Sequence, residues 1–297
     1  MHYAYSLYAK LADREDALPE ITLPEGTIHY RDSGEGPPVV FLHGLLVDGA
    51  LWRKVTPLLD GAARSIAPDL PLGSHRAAMN AGAEMTPAGV ARLVGDFLEA
   101  LDVRDVTLVG NDTGGAISQL VVLDHGERIG RLVLTNCDCF EVFPPKEFVP
   151  MIKAASVPGA LYAAIQPMRA AAARRTPMAY GALAHNIPDD VTAAWVKPFL
   201  DDAGVRRNTA AFMRAVDKSI TLDAAARLPS LKIPSLVVWG QDDRFFSPEL
   251  GRRLAAVLPN ARLEPITGAR TFVPEDAPEA LADLIRAFAR EAAPQAA

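Results

Sequence analysis

The sequence predicts an α/β protein built on a doubly wound, mostly parallel sheet. Short β-branched runs alternate with longer alanine- and leucine-rich stretches. Each short run is nearly continuous in apolar character, as parallel strands covered by helices on both faces must be. Strand–helix–strand units joined by right-handed crossovers then stack into one open sheet. At 297 residues the chain has room for one large domain or two modest ones.

Taken in order, five runs predict strands: Pro38-Val-Val-Phe-Leu42, Arg64-Ser-Ile-Ala67, Val106-Thr-Leu-Val109, Arg131-Leu-Val-Leu-Thr135 and Ser235-Leu-Val-Val-Trp239. Helical stretches lie between them, notably Pro87 to Leu101 and Gly115 to His125. From Glu141 to Leu228 the rhythm changes: strand-like runs stop, and prolines, an alanine-rich basic stretch (Met168 to Arg175) and several helix-length patterns take over. Strands resume only at Ile233. The predicted organisation is a core of residues 1–140 and 229–297, interrupted by a helical cap inserted over 141–228. The tail after Glu291 is expected to fray.

Composition narrows the function classes. The chain is 49% apolar and 22% charged, near the soluble globular average. Its 30 basic and 36 acidic residues leave a net charge of -6, which favours neither nucleic acid nor an anionic membrane surface as a partner. No apolar run approaches the roughly 18 residues of a membrane span. The start, MHYAYSLYAKLADRED, lacks a basic segment followed by an unbroken apolar one, so a cytoplasmic location is expected. Cys137 and Cys139 are too close in sequence to staple the fold and have no histidine cluster beside them, so they read as reduced structural thiols. No metal and no organic cofactor is expected, because the paired glycines at 114–115 serve a turn rather than a phosphate. The expected partner is a small-molecule substrate, and a homodimer is compatible with the sequence.

Ligands of such sheets bind outside the carboxyl ends of the strands. After the first run stands His43-Gly44-Leu45-Leu46, where a glycine at the strand exit either presents backbone N–H groups to an oxyanion or makes an ordinary turn. After the third stands Gly110-Asn111-Asp112-Thr113-Gly114-Gly115. Small residues two before and two after a central polar one are what a strained strand-to-helix elbow requires. Asp112 occupies its tip, where a carboxylate is either a nucleophile toward alkyl electrophiles or a helix N-cap. After the last run, Asp242-Asp243 supplies an acid able to orient a base, or a turn.

The chain resembles the α/β-hydrolase fold family from Thr27 to Ala280. The resemblance rests on GPPVVFLHG at 36–44, APDLPLGS at 67–74, LVGNDTGG at 108–115, HGERIGRLVLTN at 125–136, VVWGQDD at 237–243 and FVPEDAPEAL at 272–281. An aspartate at the elbow is similar to the epoxide hydrolase and haloalkane dehalogenase branches. The resemblance implies Asp112 as nucleophile, Asp243 as catalytic acid, and the N–H groups of Leu45 and Thr113 as the oxyanion hole. The helical insertion corresponds to that family's cap.

The chain departs from the pattern in three ways. Thr113 stands where dehalogenases carry a halide-holding tryptophan. Leu45 and Leu46 replace the aromatic–proline pair of epoxide hydrolases, for whose epoxide-polarising tyrosines Tyr162 and Tyr180 are candidates, or else packing residues with a satisfied hydroxyl. Most consequentially, Thr271 occupies the place of the general-base histidine, and threonine cannot take a proton from water near neutral pH. His75, after the Pro71–Ser74 loop, is the histidine assigned the base role, with His185 in the insertion as the alternative. Both also read as solvated loop histidines. His43 supports the oxyanion loop, His125 ends a helix, and His2 and His29 are peripheral. Asp138, just after the fourth run, joins Asp112 and Asp243 as a third pocket carboxylate. Arg270 then offers the counter-charge or a handle for an anionic substrate, unless it is simply a surface residue.

Three functions follow, in order of preference. The first is a hydrolase of a small, largely apolar substrate, epoxide hydrolase- or dehalogenase-like, with Asp112 as nucleophile or general base. The second is a non-hydrolytic lyase, isomerase or cyclase on the same fold. The third is a ligand-binding homologue without turnover.

Overall fold

The computed structural model describes residues 18–290. The N-terminal stretch considered above, His2 and the tail after Glu291 lie outside the described residues. Eight strands form one sheet: β1 (Glu20–Leu23), β2 (Gly26–Ser33), β3 (Pro38–Leu42), β4 (Arg64–Pro68), β5 (Val106–Asp112), β6 (Ile129–Cys137), β7 (Ser235–Gly240) and β8 (Ala261–Ile266). Their order is β1-β2-β4-β3-β5-β6-β7-β8. β1 and β2 pair antiparallel, and β2 joins β4 antiparallel. Every other pairing is parallel. The doubly wound, mostly parallel sheet expected from the alternating runs is therefore the sheet observed.

All five predicted runs are strands. β1, β2 and β8 add the edges. β8 reads ARLEPI and alternates between half-buried and exposed positions, so it lacks the continuous apolar run that marks a central strand.

Two helices flank the middle of the sheet: α1 (Pro87–Ala100) and α2 (Thr113–Asp124). α1 starts where Thr86 Oγ1 accepts the Gly89 N–H at 3.0 Å and Pro87 fills a first-turn position that needs no donor. Residues 113–122 of α2 are all buried, so all but the last turn of that helix lies within the core. One face of the sheet packs Val40, Leu108 and Leu132 against α1 and α2. The other packs Val39, Phe41 and Val238 against Trp52 and residues of a last helix, α11 (Pro278–Arg290). Each such large side chain taken wholly out of water contributes about 1.5–3 kcal/mol.

Between β6 and β7 the described chain forms helices and turns and adds no strand to the sheet: α3 (Val149–Ala154), α4 (Ala160–Ile165), α5 (Ala171–Arg174), α6 (Asp189–Asp201), α7 (Ala203–Ala215) and α8 (Lys218–Arg227). These helices have an apolar cluster of their own, in which Leu161, Phe199, Val205 and Met213 close over Leu46 of the loop after β3. The buried Arg174 binds this region together. Its guanidinium donates to Thr192 Oγ1 at 3.0 Å and to the carbonyls of Met168, Arg169 and Asp189 at 2.9, 2.9 and 3.2 Å. After β7 come α9 (Pro248–Val257), α10 (Val273–Asp276) and α11. Among the described residues no helix is long and apolar enough to cross a membrane.

Candidate functional site

β5 ends in a backbone conformation that few residues adopt. Asp112 has φ 55° and ψ −131°, a region that costs a non-glycine residue of order 1–3 kcal/mol. The surrounding small residues make this turn sterically feasible. A Cβ on Gly110 would lie 2.4 Å from Ser118 Oγ, and one on Gly114 would lie 2.4 Å from the Leu42 carbonyl oxygen. α2 can therefore start hard against the sheet, and the turn lifts the Asp112 side chain off the strand end. The pairing of β5 with β6 shifts register between Gly110 and Asp112, so that Asp112 comes opposite Cys137. The backbone N–H of Asp138 then donates to the Asp112 carbonyl at 3.4 Å.

Asp112 makes no capping bond to the following helix. Its carboxyl is met instead by the backbone N–H groups of Thr113 and Leu45. The loop after β3 approaches so closely that a Cβ on Gly44 would sit 2.0 Å from Asp112 Oδ2. At that approach only glycine fits. Burial raises the Asp112 pKa from 3.8 to about 7; the Thr113 and Leu45 N–H groups pull against that shift, and the charge of Asp243 adds to it.

The carboxyl faces a cavity of about 80 Å³. Its walls come from the strand ends (Leu45, Leu46, Asp112, Thr113, Asp138) and from apolar side chains of the following segment, such as Phe143, Phe148, Met151 and Leu183. Asp138 is 2% exposed. Its Oδ2 accepts the Thr113 hydroxyl at 3.0 Å, while its Oδ1 has no partner. Burial and the neighbouring Asp112 carboxyl push the Asp138 pKa well above the ordinary carboxylate range. Thr113 thus ties two carboxyls together, its N–H on Asp112 and its O–H on Asp138.

Asp243 sits behind this cavity and does not line it, contrary to the expected trio of pocket carboxylates. Its Oδ1 accepts the Phe245 and Phe246 N–H groups at 2.7 and 3.1 Å and the Thr271 hydroxyl at 3.0 Å. Its Oδ2 accepts Asn136 Nδ2 at 2.8 Å. Burial still raises its pKa to about 6 against those donors. Thr271 is fully buried and meets Asp243 through its hydroxyl. Two asparagines that the sequence did not single out hold this arrangement. Asn111 Nδ2 donates to the Thr271 carbonyl at 2.7 Å and to Thr135 Oγ1 at 2.7 Å. Asn136 Oδ1 accepts the Gly240 N–H at 2.6 Å. Their only sequence signal was their place at the ends of β5 and β6.

Among the described residues no histidine lines the cavity, and the assignment of His75 as base is corrected. Its ring is 2% exposed and does not line the cavity; Nδ1 faces the Gly73 N–H at 3.4 Å and Nε2 faces Asn208 Oδ1 at 3.4 Å. Burial lowers its pKa to about 4. His185, the alternative, is half exposed and bonds Asp276 Oδ2 through Nδ1 at 3.0 Å. His43 is a support: Nε2 accepts the Leu70 N–H at 2.8 Å, which leaves Nδ1 to donate to the Gly44 carbonyl at 2.8 Å. Burial lowers its pKa to about 4 as well.

Arg270 offers no counter-charge to the cavity. Its Nη1 donates to the Gly181 and Ala184 carbonyls, both at 3.2 Å, and so fastens the helical segment to the loop after β8. Tyr180 lines the cavity, yet its hydroxyl donates to the Leu46 carbonyl at 2.6 Å. Tyr162 lies under the Arg206 guanidinium, 4.7 Å from its ring centroid, and is not a cavity residue. Cys137 and Cys139 are free, buried thiols, and no described group of three His, Cys, Asp or Glu could hold a metal ion.

Strained aspartate, glycine-lined turns and strand-end cavity are the parts of an α/β-hydrolase site. Residues 37–278 match the family model described as alpha/beta hydrolase fold, and the chain belongs to that family. Haloalkane dehalogenase 2 of Mycobacterium tuberculosis H37Rv is 29% identical over 268 residues, covering 88% of this chain and 90% of that protein. A 2-hydroxy-6-oxononadienedioate/2-hydroxy-6-oxononatrienedioate hydrolase of Cupriavidus pinatubonensis is 30% identical over 248 residues, covering 80% and 82%. Among solved structures, a haloalkane dehalogenase of Bradyrhizobium elkani superposes with a TM-score of 0.76 at 21% identity, covering 92% of this chain and 97% of the other. An epoxide hydrolase superposes with a TM-score of 0.76 at 20% identity, covering 92% and 98%. At those identities the structural likeness speaks for the fold.

Proposed function

We propose that this protein is a hydrolase of small, largely apolar electrophiles in which Asp112 attacks carbon and carries the substrate as an ester. One observation carries this reading: a carboxyl on a strained elbow meets two backbone N–H groups and faces an apolar cavity. Those donors keep one carboxyl oxygen fixed while the other is free to form a bond. Once the ester exists, they sit where its carbonyl develops negative charge under attack by water. In this account residues 141–228 act as a cap that shields the cavity, and Asp243 with Thr271 holds the loop behind the nucleophile. The dehalogenase and oxo-dienoate hydrolase relatives support hydrolysis as the class.

The absence of a histidine from the cavity lining, among the described residues, favours a second reading. In it Asp112 is a general base in a non-hydrolytic lyase, isomerase or cyclase. Incubation with 1-bromobutane separates the two. Nucleophilic Asp112 acquires a butyl ester, found by peptide mass mapping in the wild type and absent in Asp112→Asn. An unmodified Asp112 peptide from an enzyme that consumes the bromide would refute the ester.

A further inference from the structure

The cavity has a second carboxyl with no structural task that accounts for it. Asp138 is 2% exposed, lines the cavity beside Asp112, and keeps one oxygen without a partner. A buried polar atom of this kind is costly to the fold unless something meets it. The Thr113 hydroxyl donates to the other oxygen at 3.0 Å, which leaves Oδ1 as the position for a proton or a substrate contact. The ionisable groups beside it are Asp112 and the thiols of Cys137 and Cys139. Among the described residues no lysine, arginine or histidine lines the cavity, so nothing there neutralises two carboxylates at once. Above about pH 7 the arrangement favours one proton on the pair, and the backbone N–H groups on Asp112 direct it to Asp138.

We propose, building on the nucleophile assignment, that Asp138 is a catalytic proton donor and then base, and that the substrate is an epoxide whose ring oxygen takes the Asp138 proton. The Asp112 oxygen attacks a ring carbon, the C–O bond breaks, and its electron pair stays on the oxygen. The proton from Asp138 converts that oxygen into a hydroxyl. This leaves a hydroxyalkyl ester on Asp112 and a carboxylate on Asp138. A water then gives a proton to Asp138 while its oxygen adds to the Asp112 ester carbon. The adduct expels the alkoxide, which takes the proton of the reformed Asp112 carboxyl. Epoxide and water become a diol, and both aspartates return to their starting states. One residue thereby supplies the acid and base steps for which Thr271 has no suitable group. A halide leaving group has less support, because it takes no proton. The indole N–H groups left unpaired, Trp52 and Trp195, do not line the cavity.

The test compares wild type, Asp138→Asn and Asp112→Asn with styrene oxide and 1-bromobutane. Asparagine keeps the shape and the Thr113 contact but carries no acidic proton. Styrene oxide consumption is expected to fall roughly 10²–10⁴-fold in Asp138→Asn. Alkylation of Asp112 by 1-bromobutane, whose leaving group takes no proton, is expected to fall far less than styrene oxide consumption in that variant. Infrared difference spectra at pH 7 are expected to show a protonated carboxyl band in wild type that is missing from Asp138→Asn. The proposal is overturned by wild-type styrene oxide turnover in Asp138→Asn, by unchanged infrared spectra, or by a wild type inert to styrene oxide. Activity surviving in Asp112→Asn sinks the nucleophile assignment itself. A required Asp112 with a dispensable Asp138 sinks only this inference.

Discussion

Replacing Asp112 by asparagine should stabilise the protein at alkaline pH and not at acid pH. The folded state raises this carboxyl from 3.8 to about 7, chiefly by burial. The folded protein therefore holds the proton better than the unfolded chain. That contribution is fully present below about pH 3.8 and is lost as pH rises through about 7. A span of about three pH units at 1.36 kcal/mol each sets a ceiling near ~4 kcal/mol. The charge of Asp243 shares in the shift and the Thr113 and Leu45 N–H groups oppose it, so about 2–4 kcal/mol is expected for the single substitution. The amide that replaces the carboxyl cannot ionise. The stability of Asp112→Asn minus that of wild type should thus grow by that amount between pH 4 and pH 8. Urea denaturation at pH 4, 6 and 8 reads it directly, and the raised carboxyl of Asp48, which does not act on Asp112, cancels in the difference. A difference independent of pH would refute a nucleophile held in its site at the expense of stability.

Other expectations follow from single contacts. Gly44→Ala places a methyl 2.0 Å from Asp112 Oδ2; it should abolish turnover and cost about 1–3 kcal/mol in denaturant melts. Thr271→Ala removes the 3.0 Å bond to Asp243 and should cost about 1.5–3 kcal/mol, more at pH 8 than at pH 5, because the bond matters most to the ionised carboxyl. Tyr180→Phe strips the Leu46 carbonyl of its 2.6 Å donor. A loss of about 1–3 kcal/mol is expected, with KM for 1-bromobutane rising because Leu46 lines the cavity. Arg174→Ala takes a donor from four acceptors in the helical segment and should raise its rate of cleavage in limited proteolysis well before the sheet is attacked.

The sheet was legible because parallel central strands are apolar on both faces, which no loop or surface helix imitates. β8 was not, since an edge strand with Pro265 and two charged residues looks like a loop until β7 pairs with it. The elbow was legible because steric demand fixes residue size at Gly110 and Gly114 whatever the chemistry. Thr271 was singled out only through the family resemblance, and no local pattern announced that its hydroxyl donates to Asp243. The substitute base was not legible. His75 stands on the right loop, but its ring turns to Asn208, an orientation decided by a residue 133 positions away. Arg270 likewise points to carbonyls of the helical segment that no local pattern announces. The proximity of Asp138 to Asp112 depends on a register shift between two strands, and register is a property of the pair.

The covalent step is the centre of the account, and heavy-oxygen water tests it most directly. After a single turnover of styrene oxide in such water, the new oxygen should be found in the Asp112 peptide, and the diol should carry only ordinary oxygen. Label in the diol with none on Asp112 would mean that water attacks the substrate itself, and the ester would have to be abandoned.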